Sequence, residues 1–201
     1  EECWSHRGRD CITLADKLDK TAKIFEITRR AIEHFPQSLL PQMGSAATHE
    51  ITFVQRDSHF WTGTAGAIVG GHGVTIARLH LSEFAYYADP LTLLNGFRPA
   101  MEKVPNSVIT IETTPSEFGS EAHVFWQEAV KGNNGFTPLF FPWFQCDPRY
   151  SRVLFAPDEL GRLADSEAAL VKLHGVTLEQ IKWRRDKIKE NRDEATIFVQ
   201  Y

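Results

Sequence analysis

Two stretches of the chain carry apolar, β-branched runs that end in residues able to handle a proton, a metal or a water. Val74–Ala85 (VTIARLHLSEFA) passes through Leu79-His80-Leu81 into Ser82-Glu83, and Val108–Thr114 (VITIETT) ends in Thr113-Thr114. A carboxylate beside the terminal phosphate of a nucleoside triphosphate can orient and polarise the attacking water, and a neighbouring oxygen helps hold hydrated magnesium. The usual order for that chemistry is a run of apolar residues, then Asp, then Glu. Here Ser82 stands where the Asp would be, and a hydroxyl can bond a metal-bound water but brings no charge. Hydroxyls at the tip of the next strand, Thr113 and Thr114, can contact the terminal phosphate or the lytic water and transmit its loss. Each pair also has a plainer reading. Strand ends are commonly polar turns, and Thr-Thr-Pro before Ser116 or Glu117 is a natural lead-in to a capped helix.

Other segments invite chemistry less strongly. Gly63–Gly73 (GTAGAIVGGHG) is glycine-rich, but it has no Lys followed by Ser or Thr and precedes a strand, the wrong order for a nucleotide fingerprint; it reads as a flexible loop. The phosphate-holding pattern G-x-x-x-x-G-K-S/T occurs nowhere in the sequence. Cys3-x-x-His6 with Cys11 matches no structural zinc spacing, so the thiols read as buried or surface cysteines. Ile181–Arg192 (IKWRRDKIKENR) is basic, and Lys182, Arg184, Arg185 and Lys189 are its candidate contacts to a nucleic-acid backbone, against the alternative of a solvated helix face. Phe140-Phe141-Pro142-Trp143-Phe144 reads as a packing plug between sheet and helices. No Ser-His-Asp or Cys-His set forms a motif, and the carboxylates are scattered, which leaves no support for a glycosidase.

The elements that must position these residues follow from periodicity. Cys11–Ala15 (CITLA) is a strand and leads into a helix over Leu18–Phe35, closed by Pro36 and Pro41. Glu50–Gln55 and His59–Thr64 form a hairpin about Arg56-Asp57-Ser58. Thr75–Leu81 is a strand, Asp89-Pro90 starts a helix to about Glu102, and Ser107–Glu112 is the next strand. A helix over Glu117–Val130 and a short strand over Thr137–Phe141 complete the α/β pattern. Pro157–Leu173 and Leu178–Glu194 are then two helices about the His174-Gly175 turn. Strands alternating with helices predict a mostly parallel sheet flanked by helices, with a small C-terminal helical lid. At 201 residues, 42% hydrophobic and 24% charged, the chain has the composition of one globular domain with a small appendage. A net charge of −4 argues against a surface coated for nucleic acid, and three cysteines make a sparse, odd set that favours a reducing compartment. The polar start, EECWSHRGRD, has no signal-peptide character.

Taken in order, ITLADKLDKTAKIFEITRRAIEHFP, GHGVTIARLHLSEFAYYADP, VITIETTPSEFGSEAHVFWQEA and GFTPLFFPWF resemble the large terminase subunit of tailed bacteriophages, from about Ile12 to Tyr201. Those proteins are ATP-driven motors that pump viral DNA into an empty capsid, joined to a nuclease that cuts the concatemer. The resemblance implies a P-loop ATPase-like fold whose phosphate loop lies outside this sequence, with ATP and Mg2+ as cofactors. It makes Glu83 the catalytic carboxylate, Ser82 the metal-side residue acting through a water, and Thr113 and Thr114 the motif that couples hydrolysis to movement. It divides the chain into a partial α/β ATPase core (1–147), a helical lid (148–196) and the start of a junction toward a nuclease (197–201). The implied partners are double-stranded viral DNA, a portal protein and a small terminase subunit, in a homo-oligomeric ring with no membrane. The implied location is the cytoplasm of the infected bacterial host, transiently at the procapsid portal.

The family's phosphate loop before CITLA and its nuclease carboxylates after Tyr201 are not among these residues. The expectation is therefore a piece of a longer polypeptide that does not turn over ATP alone, because the amides and Lys that position the triphosphate are missing. The alternative is a non-catalytic terminase-derived remnant that contributes DNA or portal contacts. A helicase of the same broad fold is disfavoured by PSEFGSEAHVFWQEA followed by PLFFPWF.

Overall fold

A computed structural model describes residues 2–44, 48–67, 74–145, 155–156 and 159–191, and the chain divides into two compact units, Glu1–Phe125 and Trp126–Tyr201. The first unit is built on a five-stranded sheet ordered β2-β3-β1-β4-β5. Its strands are β1 (Asp10–Ala15), β2 (Glu50–Phe53), β3 (Ser58–Thr64), β4 (Ile76–Ser82) and β5 (Val108–Glu112). β1 runs parallel to β3 and β4, and β4 parallel to β5; β2 alone is antiparallel, paired with β3. β1 lies at the centre, and Cys11 to Ala15 are all buried, the near-continuous burial expected of a parallel strand covered on both faces.

A short helix α1 (Glu2–Ser5) precedes β1, and α2 (Leu18–Glu33) follows it. α2 buries Thr21, Phe25 and Ile32 along one stripe. Phe25 and Ile32 join Cys3, Cys11, Ile51 and Phe53 in one apolar cluster, with Trp4, Leu40 and Phe60 at its edge. Between β2 and β3 the chain makes a 3-10 turn over Val54–Arg56 and reverses at Asp57, whose φ of 48° is left-handed. After β4, Asp89 caps α3 (Pro90–Met101) by accepting from the Thr92 amide at 3.2 Å, with Pro90 as the first helical residue. α3 buries Leu93, Leu94, Phe97 and Met101.

α4 (Glu121–Val130) begins later than the expected Glu117, because Gly119 is left-handed at φ 83° and the helix starts beyond it. The expected strand over Thr137–Phe141 is not formed: the segment is irregular, and Leu139, Phe140 and Phe141 are exposed. Pro138 and Pro142 have no amide to give to a ladder, so an apolar run alone did not suffice.

In the second unit, α5 (Asp165–His174) and α6 (Leu178–Asn191) are joined through Gly175, left-handed at φ 67°, whose amide bonds the Val171 carbonyl at 3.1 Å. α5 starts at Asp165, not at the expected Pro157. Gly161 is left-handed at φ 60° within the preceding irregular stretch, and Pro157 itself lies outside the described residues. Leu160, Val176 and Ile181 form the core of this unit, with Trp143 and Phe144 packed against it. Trp143 stacks on Trp183 with ring centroids 5.4 Å apart. The aromatic plug is thus split: Trp143 and Phe144 pack, whereas Phe140 and Phe141 face solvent. Cys146, residues 68–73 of the glycine-rich loop, Arg192 and the junction at 197–201 lie outside the described residues. Among the described residues no helix is long and apolar enough to cross a membrane.

Candidate functional site

The connection from β1 leads through α2 and β2 back to β3 on one side, while that from β4 leads through α3 to β5 on the other. β1 and β4 are adjacent, so their carboxyl ends flank the point where the strand order reverses, the place where open α/β sheets open a ligand crevice. Ser82 and Glu83 stand at the end of β4, and Thr113 and Thr114 directly follow β5. The motifs found in the sequence therefore converge.

Glu83 adopts a left-handed backbone, φ 61° and ψ 42°, as the chain leaves β4 for a 3-10 turn over Phe84–Tyr86. Left-handed backbone is costly for a residue with a Cβ, and such strain concentrates at functional positions. Both carboxylate oxygens of Glu83 have partners. The Thr114 hydroxyl donates to Oε2 at 3.4 Å, and the Lys20 ammonium lies 3.5 Å from Oε1. Thr113 Oγ1 accepts the Ala85 amide at 3.1 Å and donates to the Thr114 carbonyl at 2.8 Å, so the two threonines hold the turn after Glu83 against the end of β5.

Three participants were not singled out from sequence. Asp16, directly after β1, holds the Lys20 ammonium at 3.0 Å from Oδ1 and 3.2 Å from Oδ2, and its side chain is 5% exposed. Lys20, in the first turn of α2, bridges Asp16 and Glu83 and lies 5.6 Å from the centre of the Tyr86 ring. The Tyr86 hydroxyl is 3.3 Å from Thr114 Oγ1, which closes the ring of contacts. The Asp16 carboxylate beside Lys20, with Glu83 adding to it, pushes the ammonium's pKa above the ordinary lysine value.

Ser82 has a different neighbourhood. It is buried and in register with Glu112 on β5. The His80 ring, whose Nε2 lies 3.5 Å from Glu112 Oε1, and then the Ser82 hydroxyl hold the Glu112 carboxyl below the usual carboxylate range. Glu112 was also missed in the sequence, and it sets a carboxylate beside the hydroxyl that replaces the expected Asp. Oxygen donors of this kind suit magnesium, which keeps most of its waters and takes one or two carboxylates plus substrate phosphates. Among the described residues no three His, Cys, Asp or Glu side chains converge into a protein-only metal cage.

The basic helix is engaged within its own unit. Lys182 pairs with Asp186 at 2.6 Å, Arg184 is buried, and Arg185 clamps Glu167 at 2.7 and 2.6 Å while donating to the Leu160 and Arg162 carbonyls. Lys189 is exposed. Near α1, Cys3 and Cys11 are buried free thiols, and Cys3 donates to the His59 carbonyl at 3.2 Å. Hydrogen bonding to Cys11 and burial push the Cys3 thiol up.

The sheet order and flanking helices define a mostly parallel α/β fold whose strand order reverses between β1 and β4. No family model matches the chain, and no curated protein matches it. Among solved structures it is similar to the large terminase of bacteriophage HK97, with a TM-score of 0.60 and 12% identity over 98% of this chain and 39% of that one. A large terminase from a thermophilic bacteriophage matches 65% of this chain and 32% of its own length at 13% identity and a TM-score of 0.48. The ATPase domain of a Thermus phage large terminase matches 60% of this chain and 52% of its own length at 16% identity and a TM-score of 0.43. The chain shares the fold of the matching part of the HK97 large terminase and spans about two-fifths of that protein's length.

Proposed function

We propose that the chain is part of a viral DNA-packaging motor that hydrolyses MgATP to move DNA into a procapsid. The observation that carries this reading is the direct contact between Glu83 at the end of β4 and Thr114 after β5, at the topological switch point of the sheet. Glu83 orients the attacking water and takes its proton. Thr114 contacts the same carboxylate, and Thr113 ties the turn that carries it, so a change at the terminal phosphate reaches both segments together. Ser82 and Glu112 are the residues that would face the magnesium of MgATP, Ser82 through a water. When bound, the ion would supply positive charge that neutralises the charge developing on the phosphates. The two-helix unit serves as the lid, and the whole protein works as a ring with double-stranded DNA, a portal protein and a small terminase subunit in the infected host cytoplasm. Of the basic residues on α6, Lys189 is the best placed to reach a DNA backbone, since Lys182, Arg185 and Lys187 have carboxylate partners and Arg184 is buried.

Sequencing the locus on both sides of these residues tests the proposal. An in-frame G-x-x-x-x-G-K-S/T upstream of Glu1 supports the motor. Stop codons on both sides would defeat the catalytic reading and leave the remnant that only contacts DNA or portal.

A further inference from the structure

We propose that Lys20 is a positioning residue for Glu83: anchored by Asp16, its ammonium fixes the Glu83 carboxylate at the carboxyl ends of β1 and β4. The inference rests on Glu83 being the water-activating carboxylate. A glutamate side chain has three rotatable bonds, and at 26% side-chain exposure Glu83 is not held by packing alone. Its orientation depends on what grips its two oxygens, which are Lys20 from α2 and Thr114 from beyond β5.

The two arms of the lysine bridge are unequal. Lys20 reaches the buried Asp16 at 3.0 Å and the more exposed Glu83 at 3.5 Å. The shorter arm is the anchor, and the longer one orients Glu83 without tying up the lone pair that must accept a proton. An exposed ion pair would contribute little. This one differs because the Asp16 side chain is only 5% exposed and the ammonium also lies over the Tyr86 ring, 5.6 Å from its centre. The shared cation also offsets the repulsion between two carboxylates at neighbouring strand ends. Asp16 thus acts on Glu83 through Lys20, linking the end of β1 to the end of β4.

The test is side-chain NMR of the 201-residue chain in wild type, Lys20→Met, Lys20→Arg and Asp16→Asn. Wild type should show an NOE between the Lys20 ε-methylene and the Glu83 γ-methylene, with two distinct Glu83 γ-proton shifts from a fixed rotamer. In K20M and D16N those two shifts should collapse toward one average, and K20R should retain them, while β2 and β3 amides stay in place. Unchanged Glu83 signals in K20M overturn the proposal. If D16N fails to fold, K20M decides alone, because the Lys20 side chain is 37% exposed. In the product of the complete reading frame, K20M should lower kcat for MgATP by about 10- to 100-fold with KM within about twofold, and K20R should recover most of it. A wild-type kcat in K20M would also overturn the proposal. Absence of hydrolysis in the wild-type product would instead defeat the ATPase reading, and the NMR result would still decide whether Lys20 places Glu83.

Discussion

Glu83 stands in a backbone conformation that suits glycine, and that makes its side chain a matter of chemistry more than of stability. The left-handed region costs a residue with a Cβ about 1–2 kcal/mol, whereas glycine enters it freely. Glu83→Gly should therefore be more stable than Glu83→Ala by about 1 kcal/mol in urea unfolding, although neither retains the carboxylate. Equal midpoints would show that the turn relaxes around alanine and that Glu83 stores no strain. At the neighbouring position, Ser82 is explained by its partner across the ladder. It faces Glu112 in register, and its hydroxyl serves that carboxylate. Ser82→Asp would set two carboxylates opposite each other and should cost about 1 kcal/mol at neutral pH. The cost should be relieved in the double variant with Glu112→Gln. A single variant as stable as wild type would remove this account of the serine.

At the scale of elements, the sequence revealed what periodicity and punctuation control. β1, α2, the β2–β3 hairpin, β4, α3 and β5 form where expected, because each has a period of its own and a proline, glycine or cap at its ends. The cap on α3 is open to test: Asp89→Ala should cost about 1 kcal/mol of stability through loss of the bond to the Thr92 amide. A negligible change would mean that Pro90 alone sets the helix start. The Thr137–Phe141 segment failed as a strand because a strand needs a neighbour as well as an apolar run. The partners of Glu83 were hidden for a similar reason. Lys20 is 63 residues away in sequence, and only the sheet brings it close. Asp16 did leave a signal, since CITLA is followed at once by an acidic residue just as the β4 run ends in Ser82-Glu83.

The Glu167–Arg185 pair gives the second unit its own pH dependence. Arg185, then the Ala164 amide, hold the Glu167 carboxyl below the ordinary 4.5 despite its burial. A carboxylate lowered in the folded state contributes stability that is present above 4.5 and lost as pH falls through the folded value. Acid unfolding of α5 and α6 should thus begin below pH 4.5, and Glu167→Gln should flatten that limb while costing about 1 kcal/mol at pH 7, because Arg185 is partly exposed and keeps its bonds to the Leu160 and Arg162 carbonyls. An unchanged acid limb in the variant would assign the pH dependence to other groups.

For the whole molecule, the sheet order explains why residues far apart in sequence meet at one edge of the sheet. β1 and β4 are neighbours whose connections diverge, so Asp16, Glu83 and, across β5, Thr114 come together at their carboxyl ends. This is the fold of the matching part of the HK97 large terminase, and the composition of the site adds the chemistry that the proposal assigns to it. Hydrolysis also needs groups that position the phosphates, so the 201 residues alone should show no MgATP turnover above buffer. Glu83-dependent turnover by this chain would mean that its own residues supply the phosphate site. The most direct test of the central claim is steady-state MgATP hydrolysis by the complete reading-frame product, comparing wild type with Glu83→Gln. The account predicts a fall in kcat of about 100-fold or more with KM nearly unchanged, the mark of a lost general base. Equal kcat in the two proteins would contradict it.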